Sequence, residues 1–116
     1  IVMELIYYPK CSTCMKALKH LESKNLSFEK RHIVEQTPTA QEFQHWIEQY
    51  GQGIKPFFNT SGQVYRAMNL KDKINDLSVE EASQLLSSNG MLVKRPLLIL
   101  DDQIIIGYKQ ELYEKL

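Results

Sequence analysis

Two cysteines separated by two residues, Cys11 and Cys14, are the only cysteines of the 116-residue sequence. In thiol–disulfide exchange one thiolate attacks a disulfide and a second thiol resolves the mixed disulfide, and a Cys-x-x-Cys motif supplies both. A bridge between them would close a loop too short to constrain the unfolded chain, so a structural staple is not the expected role. The motif predicts redox chemistry, with two inert core cysteines as the alternative.

The residues around the two cysteines predict different roles for them. Apolar residues follow from Cys14 to Leu18 and Leu21 at helical spacing, which predicts a helix that begins at Cys11 and turns Cys14 to the core. At the helix tip, unpaired backbone N–H groups and the helix dipole favour a thiolate. We therefore expect Cys11 to be the nucleophile and Cys14 the resolving thiol.

Zinc binding is a further alternative for a pair of cysteines. Zinc usually takes four ligands, and His20, His32 and His45 do not form a pair with the spacing of a zinc finger. The sequence therefore predicts neither a metal site nor a cofactor, with half a zinc site as the weaker interpretation.

The dipeptide Arg95-Pro96 precedes the apolar run at residues 97–100. In a sheet with the predicted strand order, this turn comes beside the N-terminus of the first helix, and the proline lacks a backbone donor and is a candidate for a cis bond. Arg95 would place a permanent positive charge near Cys11, which favours the thiolate and attracts an anionic substrate. An ordinary solvated arginine is the alternative interpretation.

Hydrophobic periodicity predicts the elements that must position these residues. Strands are predicted at residues 3–7, 27–33, 97–100 and 103–106, and helices from 11 to about 25, from about 39 to 50, at 65–70, from about 78 to 86, and at 109–116. Thr39 and Ser78 begin capping boxes, and Asp101-Asp102 predicts a hairpin turn. The order is β-α-β, a helical segment over 34 to about 90, and β-β-α, which predicts an α/β protein whose first two strands are parallel.

The composition predicts a single soluble domain over residues 1–116. Fourteen basic residues balance fourteen acidic ones, so no net charge attracts the chain directly to nucleic acid. No apolar run approaches the roughly 20 residues of a membrane span, and the start has no signal-peptide pattern. We expect a cytoplasmic protein without a membrane partner, and we give Ile1-Val2, which precede Met3, no functional weight as an expected expression remnant.

Three stretches and the helical segment resemble the ArsC/Spx family over nearly the entire chain: YYPKCSTC at 7–14, KRPL at 94–97 and IGYK at 106–109. The resemblance implies a thioredoxin-like fold with a mixed sheet and a helical insertion. It also implies that Cys11 is the nucleophilic thiol and Arg95 the arginine beside it. Ser12, Thr13 and Pro96 are the expected substrate-binding residues.

The family resemblance implies a thiol–disulfide oxidoreductase, or arsenate reductase-like protein, that takes electrons from thioredoxin or a low-molecular-weight thiol. Arsenate reductases of this type bind the oxyanion with arginines where this chain has the loop 59–62 and Gly107 or Lys109, so arsenate is disfavoured. The alternative is a redox-sensing regulator, similar to Spx, that contacts the RNA polymerase α subunit. Gly53 favours that interpretation, and Ser61, in place of an expected arginine, counts against it.

Overall fold

The computed structural model of the protein describes residues 3–116, so the predicted remnant at Ile1-Val2 lies outside the described residues. The elements, in chain order, are β1 (Met3–Tyr7), α1 (Ser12–Ser23), β2 (Glu29–His32), α2 (Ala40–Tyr50), α3 (Gln63–Ala67), α4 (Val79–Ser88), β3 (Leu97–Leu100), β4 (Ile104–Ile106) and α5 (Gln110–Glu114). Two compact units result, one from residues up to His32 and from Arg95 onward, the other from Ile33–Lys94. The single domain over 1–116 stays a prediction.

The first unit is built on a four-stranded mixed sheet with the order β2-β1-β3-β4. Strands β1 and β2 are parallel, whereas β1 with β3 and β3 with β4 are antiparallel. The predicted α/β class, the parallel first pair and the closing hairpin are therefore confirmed. Antiparallel neighbours need only the short turn at Asp101-Asp102, while the parallel pair uses α1 as its connection.

One face of α1 packs on this sheet. The buried residues of the helix are Cys14, Ala17, Leu18 and Leu21, at the spacing that the sequence predicts. Ala17, Leu18 and Leu21 join a core with residues of the sheet and of α5, among them Leu5, Leu98, Ile105 and Tyr113. Burial of this apolar face is what holds the N-terminus of α1 in place.

The second strand is shorter than predicted. It covers Glu29–His32 instead of 27–33, and its side chains are exposed or half-buried. Two apolar residues flank the strand. Phe28 is partly buried and packs against the core of the first unit, and Ile33 is buried and begins the second unit. An edge strand pairs on one side only, so a polar sequence can occupy it.

Helices α2 and α4 are the main elements of the second unit, and both begin with the predicted capping boxes. Thr39 Oγ1 accepts from the Glu42 N–H at 3.1 Å, and Ser78 Oγ accepts from the Glu81 N–H at 3.0 Å. In return each glutamate accepts from the backbone N–H of its cap residue. Helix α2 ends at Gly51, whose φ of 73° is the left-handed conformation that glycine adopts without cost.

Two predicted helix boundaries are wrong by a few residues. The helix expected at 65–70 is α3 at Gln63–Ala67, because Asn69 adopts a left-handed φ of 53° that no α-helix continues through. The helix expected at 109–116 is α5 at Gln110–Glu114. Within residues 3–116, no helix combines the length and the apolar character needed to cross a membrane.

Candidate thiol site

The turn between β1 and α1 places Cys11 at the tip of the helix. The Cys11 N–H donates to the Tyr8 carbonyl at 3.0 Å, which closes a tight turn through Pro9 and Lys10. Cys11 itself is extended, with φ −102° and ψ 118°, and is the N-cap residue of α1. Its sulfur therefore lies beside the backbone N–H groups that have no partner inside the helix.

The pKa of the Cys11 thiol is lowered from its ordinary value. Partial burial works to raise this pKa, but the backbone N–H of Cys14, the Cys14 thiol, the backbone N–H of Thr13 and the charge of Arg95 together outweigh it. No side-chain cap hydrogen bond of regular geometry closes α1 among the described residues, so the N–H groups act on the sulfur mainly through their dipoles. The N-terminus of α1 thus favours the thiolate.

Cys14 is fully buried one helical turn further along α1. Burial raises the pKa of its thiol to about 12, a hydrogen bond from the Tyr8 backbone opposes that rise, and the hydrogen bond and charge of Cys11 add to it. The Cys14 thiol therefore stays protonated and donates a hydrogen bond to the Cys11 sulfur. The two thiols therefore differ, since the pKa of Cys11 is lowered and that of Cys14 is raised.

The pairing of β1 with β3 places Arg95 near the turn that leads from β1 into α1. Ile6 in β1 is opposite Leu97 in β3, so Arg95-Pro96 lies next to the residues that follow β1. The Arg95–Pro96 peptide bond is cis, and the buried Pro96 accepts a hydrogen bond from the Gly107 N–H at 2.8 Å. The sequence-based expectation that this turn comes beside the helix tip agrees with the position observed here.

The half-buried guanidinium of Arg95 stacks on an aromatic ring. Its central carbon is 5.2 Å from the centroid of the Tyr8 ring, a cation–π contact that restricts where the charge can lie. The Tyr8 ring also contacts that of His32, which meets it edge-on with 5.8 Å between the ring centroids. Tyr8 was not predicted as a site residue, since nothing in its local sequence distinguishes it from Tyr7.

Ser12 and Thr13 occupy the first turn of α1 and are exposed. Thr13 also borders an open polar groove together with Lys16, Lys19, His20 and Tyr108. Their role in binding a substrate stays a prediction, as does that of Pro96. Within residues 3–116, no three histidine, cysteine or acidic side chains are grouped as a metal ion would require.

A cluster of three rings, those of His20, Tyr108 and Tyr113, was missed by sequence reasoning. Tyr113 of α5 is buried, and its ring lies 5.0 Å from that of Tyr108 and 5.7 Å from that of His20. The Tyr108 hydroxyl is 2.6 Å from His20 Nδ1. Residues 20 and 113 are too far apart in the chain for any local pattern to reveal their contact.

Comparison with known proteins finds relatives that this chain matches over most of their length. The ArsC family profile matches residues 6–116. The uncharacterised protein YusI of Bacillus subtilis is 43% identical over 109 residues, which are 94% of this chain and 92% of YusI. The regulatory protein MgsR of the same organism is 31% identical over 101 residues, 87% of this chain and 79% of MgsR.

A solved structure shares the fold. The crystal structure of a possible arsenate reductase from Streptococcus mutans superposes with a TM-score of 0.89 at 44% identity, and the match covers 94% of this chain and 92% of that one. The predicted thioredoxin-like fold is thereby confirmed.

Proposed function

This chain belongs to the ArsC family, and on that premise we propose that it is a thiol–disulfide oxidoreductase with Cys11 as nucleophile and Cys14 as resolving thiol. The observation that carries the proposal is the hydrogen-bonded pair of unlike thiols, one with a lowered and one with a raised pKa. Inert core cysteines would both be buried and protonated. Here the asymmetry matches the two successive tasks of disulfide exchange.

In the first step the Cys11 thiolate attacks one sulfur of a substrate disulfide. A bond forms between Cys11 and that sulfur, the substrate S–S bond breaks, and the other substrate sulfur leaves as a thiolate. The N-terminus of α1 and Arg95 stabilise negative charge at this place. The exposed Ser12 and Thr13 hydroxyls can donate or accept hydrogen bonds at the same helix tip.

In the second step the Cys14 sulfur, having released its proton, attacks Cys11. The Cys11–Cys14 bond forms, the bond from Cys11 to the substrate breaks, and the substrate sulfur leaves with the electron pair. Two electrons have then passed from the dithiol to the substrate. Thioredoxin or a low-molecular-weight thiol returns them by the same exchange in reverse.

The proposal is tested by trapping the intermediate. When reduced Cys14→Ser protein is mixed with an aryl disulfide such as dithiobis(nitrobenzoate), we expect a stable adduct on Cys11, detected by intact mass. Wild-type protein should proceed to the internal disulfide and release the adduct. The matched control is Cys11→Ser, which should react slowly because Cys14 is buried.

Persistence of the adduct on wild-type protein would exclude the resolving role of Cys14, and equal reaction rates of Cys11→Ser and Cys14→Ser would exclude the assignment of the nucleophile. Capture of cell proteins by Cys14→Ser then identifies the natural partners. A recycling thioredoxin and a thiol substrate are each recognisable by mass spectrometry, and both should be released by dithiothreitol.

A second candidate function is a redox-sensing regulator, favoured by the similarity to MgsR and to global transcriptional regulators named Spx, one of which is 24% identical over 110 residues. In this case the Cys11–Cys14 disulfide would change the affinity for the RNA polymerase α subunit. Retention of that subunit by reduced and oxidised protein distinguishes the functions. The Cys11→Ser variant, locked in the dithiol-like state, is the control, and equal retention in both redox states removes the regulatory function.

A further inference from the structure

An open polar groove lies along α1 beside the candidate thiol site. It is lined by Thr13, Lys16 and Lys19 of α1 and by Tyr108 and Glu114 from the C-terminal part of the chain. Residues three positions apart lie on one face of a helix, and this face is not the one that α1 buries in the core. The groove therefore begins in the first turn of α1, where the nucleophile of the proposed function lies.

The two lysines bring positive charge to this groove. Both side chains are exposed, and within residues 3–116 neither ammonium group forms an ion pair or a hydrogen bond. The helical rise places the Cα atoms of Lys16 and Lys19 about 6 Å and about 10 Å along the helix axis from that of Ser12. On flexible side chains, the two ammonium groups can reach a group attached a few atoms from a disulfide at the helix tip.

The carboxylate that lines the groove is engaged by a neighbour. Glu114 Oε1 lies 2.8 Å from His20 Nε2. His20 is also held on its other side, because its Nδ1 lies 2.6 Å from the Tyr108 hydroxyl and its ring meets the Tyr108 ring edge-on. With two lysines and one glutamate among the lining side chains, the groove keeps a positive formal charge.

We propose that this groove, through Lys16 and Lys19, selects disulfides that carry carboxylate groups a few atoms from the sulfur that Cys11 attacks. The inference rests on the proposed function and names its substrate class. A carboxylate paired with an ammonium group holds the disulfide at the tip of α1 before exchange begins. The carboxylates take part in no bond change, so the exchange of S–S bonds at Cys11 is the same for acidic and neutral disulfides.

The test compares three small alkyl disulfides that differ in charge. Dithiodipropionate is a dianion at neutral pH, hydroxyethyl disulfide is uncharged, and cystamine is a dication. Each is mixed with reduced protein, the remaining thiols are alkylated, and intact mass follows the loss of the dithiol form. Because Arg95 also attracts anions, the order of the three rates in wild type does not identify the lysines, and variants are needed.

For the double variant Lys16→Gln/Lys19→Gln we expect the rate with dithiodipropionate to fall about fivefold, as for the loss of two exposed ion pairs. The rate with hydroxyethyl disulfide should change less than about twofold, and that with cystamine should rise. The matched control is Lys55→Gln/Lys71→Gln, which removes two exposed lysines that do not line the groove. It should change none of the three rates by more than about twofold.

An effect on the thiol itself would give a different result. The groups that shift the pKa of Cys11 are Cys14, Thr13 and Arg95, so the pH midpoint of Cys11 alkylation should stay in place when the two lysines are replaced. If the lysine variant reacted more slowly with all three disulfides by the same factor, the lysines would act on the thiol and the inference would be overturned. Equal rates of this variant and wild type with dithiodipropionate would also overturn it.

Failure of the proposed function itself is distinguishable in this assay. If wild-type protein reacts with none of the three disulfides, it is not a disulfide reductase, and both proposals fall together. If wild type reacts with all three and the lysine variant matches it, only the selection of acidic disulfides is lost.

Discussion

The guanidinium of Arg95 lies over the ring of Tyr8, with 5.2 Å between the guanidinium carbon and the ring centroid. Tyr8 also accepts the N–H of Cys11 through its carbonyl and supplies a backbone hydrogen bond to Cys14. One residue at the end of β1 therefore contacts the arginine and both cysteines. Cys11, Cys14 and the charge of Arg95 are therefore positioned by the same short turn.

Replacing Arg95 should make the thiolate form of Cys11 less favourable. In Arg95→Met we expect the pKa of Cys11 to rise, because the charge of Arg95 is one of the groups that lower it, and the smallest of them. The measurement is the pH midpoint of iodoacetamide alkylation in the Cys14→Ser background. Arg95→Lys, which keeps a charge on a more flexible chain, should give an intermediate midpoint, and an unchanged midpoint in Arg95→Met would contradict the electrostatic role.

Removing the thiol of Cys14 should have a larger effect on Cys11 than removing Arg95. The hydrogen bond from Cys14 lowers the pKa of Cys11 more than the arginine does. Cys14→Ala should therefore raise the alkylation midpoint further than Arg95→Met. Cys14→Ser keeps a hydroxyl donor in the same position and should restore most of the difference. The reverse order of Cys14→Ala and Arg95→Met would show that charge, and not the hydrogen bond, controls Cys11.

The reduced protein should lose stability in alkaline solution because of Cys14. The pKa of the Cys14 thiol is about 12 in the folded protein, whereas that of a cysteine in the unfolded chain is about 8.5. Between these values the unfolded chain releases a proton that the folded protein retains, so the free energy of unfolding falls by at most about 1.4 kcal/mol per pH unit. Urea unfolding from pH 8 to 10 measures this slope.

Two comparisons isolate the contribution of Cys14 to that slope. The Cys14→Ser variant and the oxidised wild type have no proton to lose at this position, and both should show a shallower decline. Cys11 acts in the opposite direction at lower pH: its lowered folded pKa contributes stability above about pH 8.5, which is lost as the pH falls through the folded value. A decline of equal slope in Cys14→Ser would show that other groups cause the alkaline loss.

In the second unit the backbone of Gly90 lies so close to that of Ile33 that adding one methyl group at Gly90 should lower the stability of the protein. A Cβ placed on the buried Gly90 would collide with the carbonyl group of Ile33, and backbone cannot move aside as a flexible side chain does. Gly90→Ala should therefore destabilise the protein by about 1–3 kcal/mol. Gln84→Ala, on the exposed face of α4, should change the unfolding free energy by less than about 0.5 kcal/mol. Equal stability of Gly90→Ala and wild type in urea would mean that this contact relaxes freely.

Much of the fold could be predicted from local patterns. The capping boxes at Thr39 and Ser78, the apolar face of α1 and the strand at residues 97–100 are each determined by neighbours within a few positions. The predicted bounds of α3, β2 and α5 are wrong by a few residues. The left-handed backbone of Asn69 ends the helical stretch after α3, and β2 is an edge strand that pairs on one side only. Such ends depend on contacts that periodicity does not record.

The sequence by itself determined the spacing of the two cysteines, their unlike positions on one helix, and the order of the elements that carry them. Only the tertiary structure decided which groups surround the sulfur atoms. Arg95 is brought to the helix tip by the pairing of β1 with β3, and the Tyr113 ring is brought against that of His20 by the packing of α5 on α1. A thiol pKa responds to charges and hydrogen bonds within a few ångströms, and the charge of Arg95 comes from a position 84 residues beyond Cys11 in the chain.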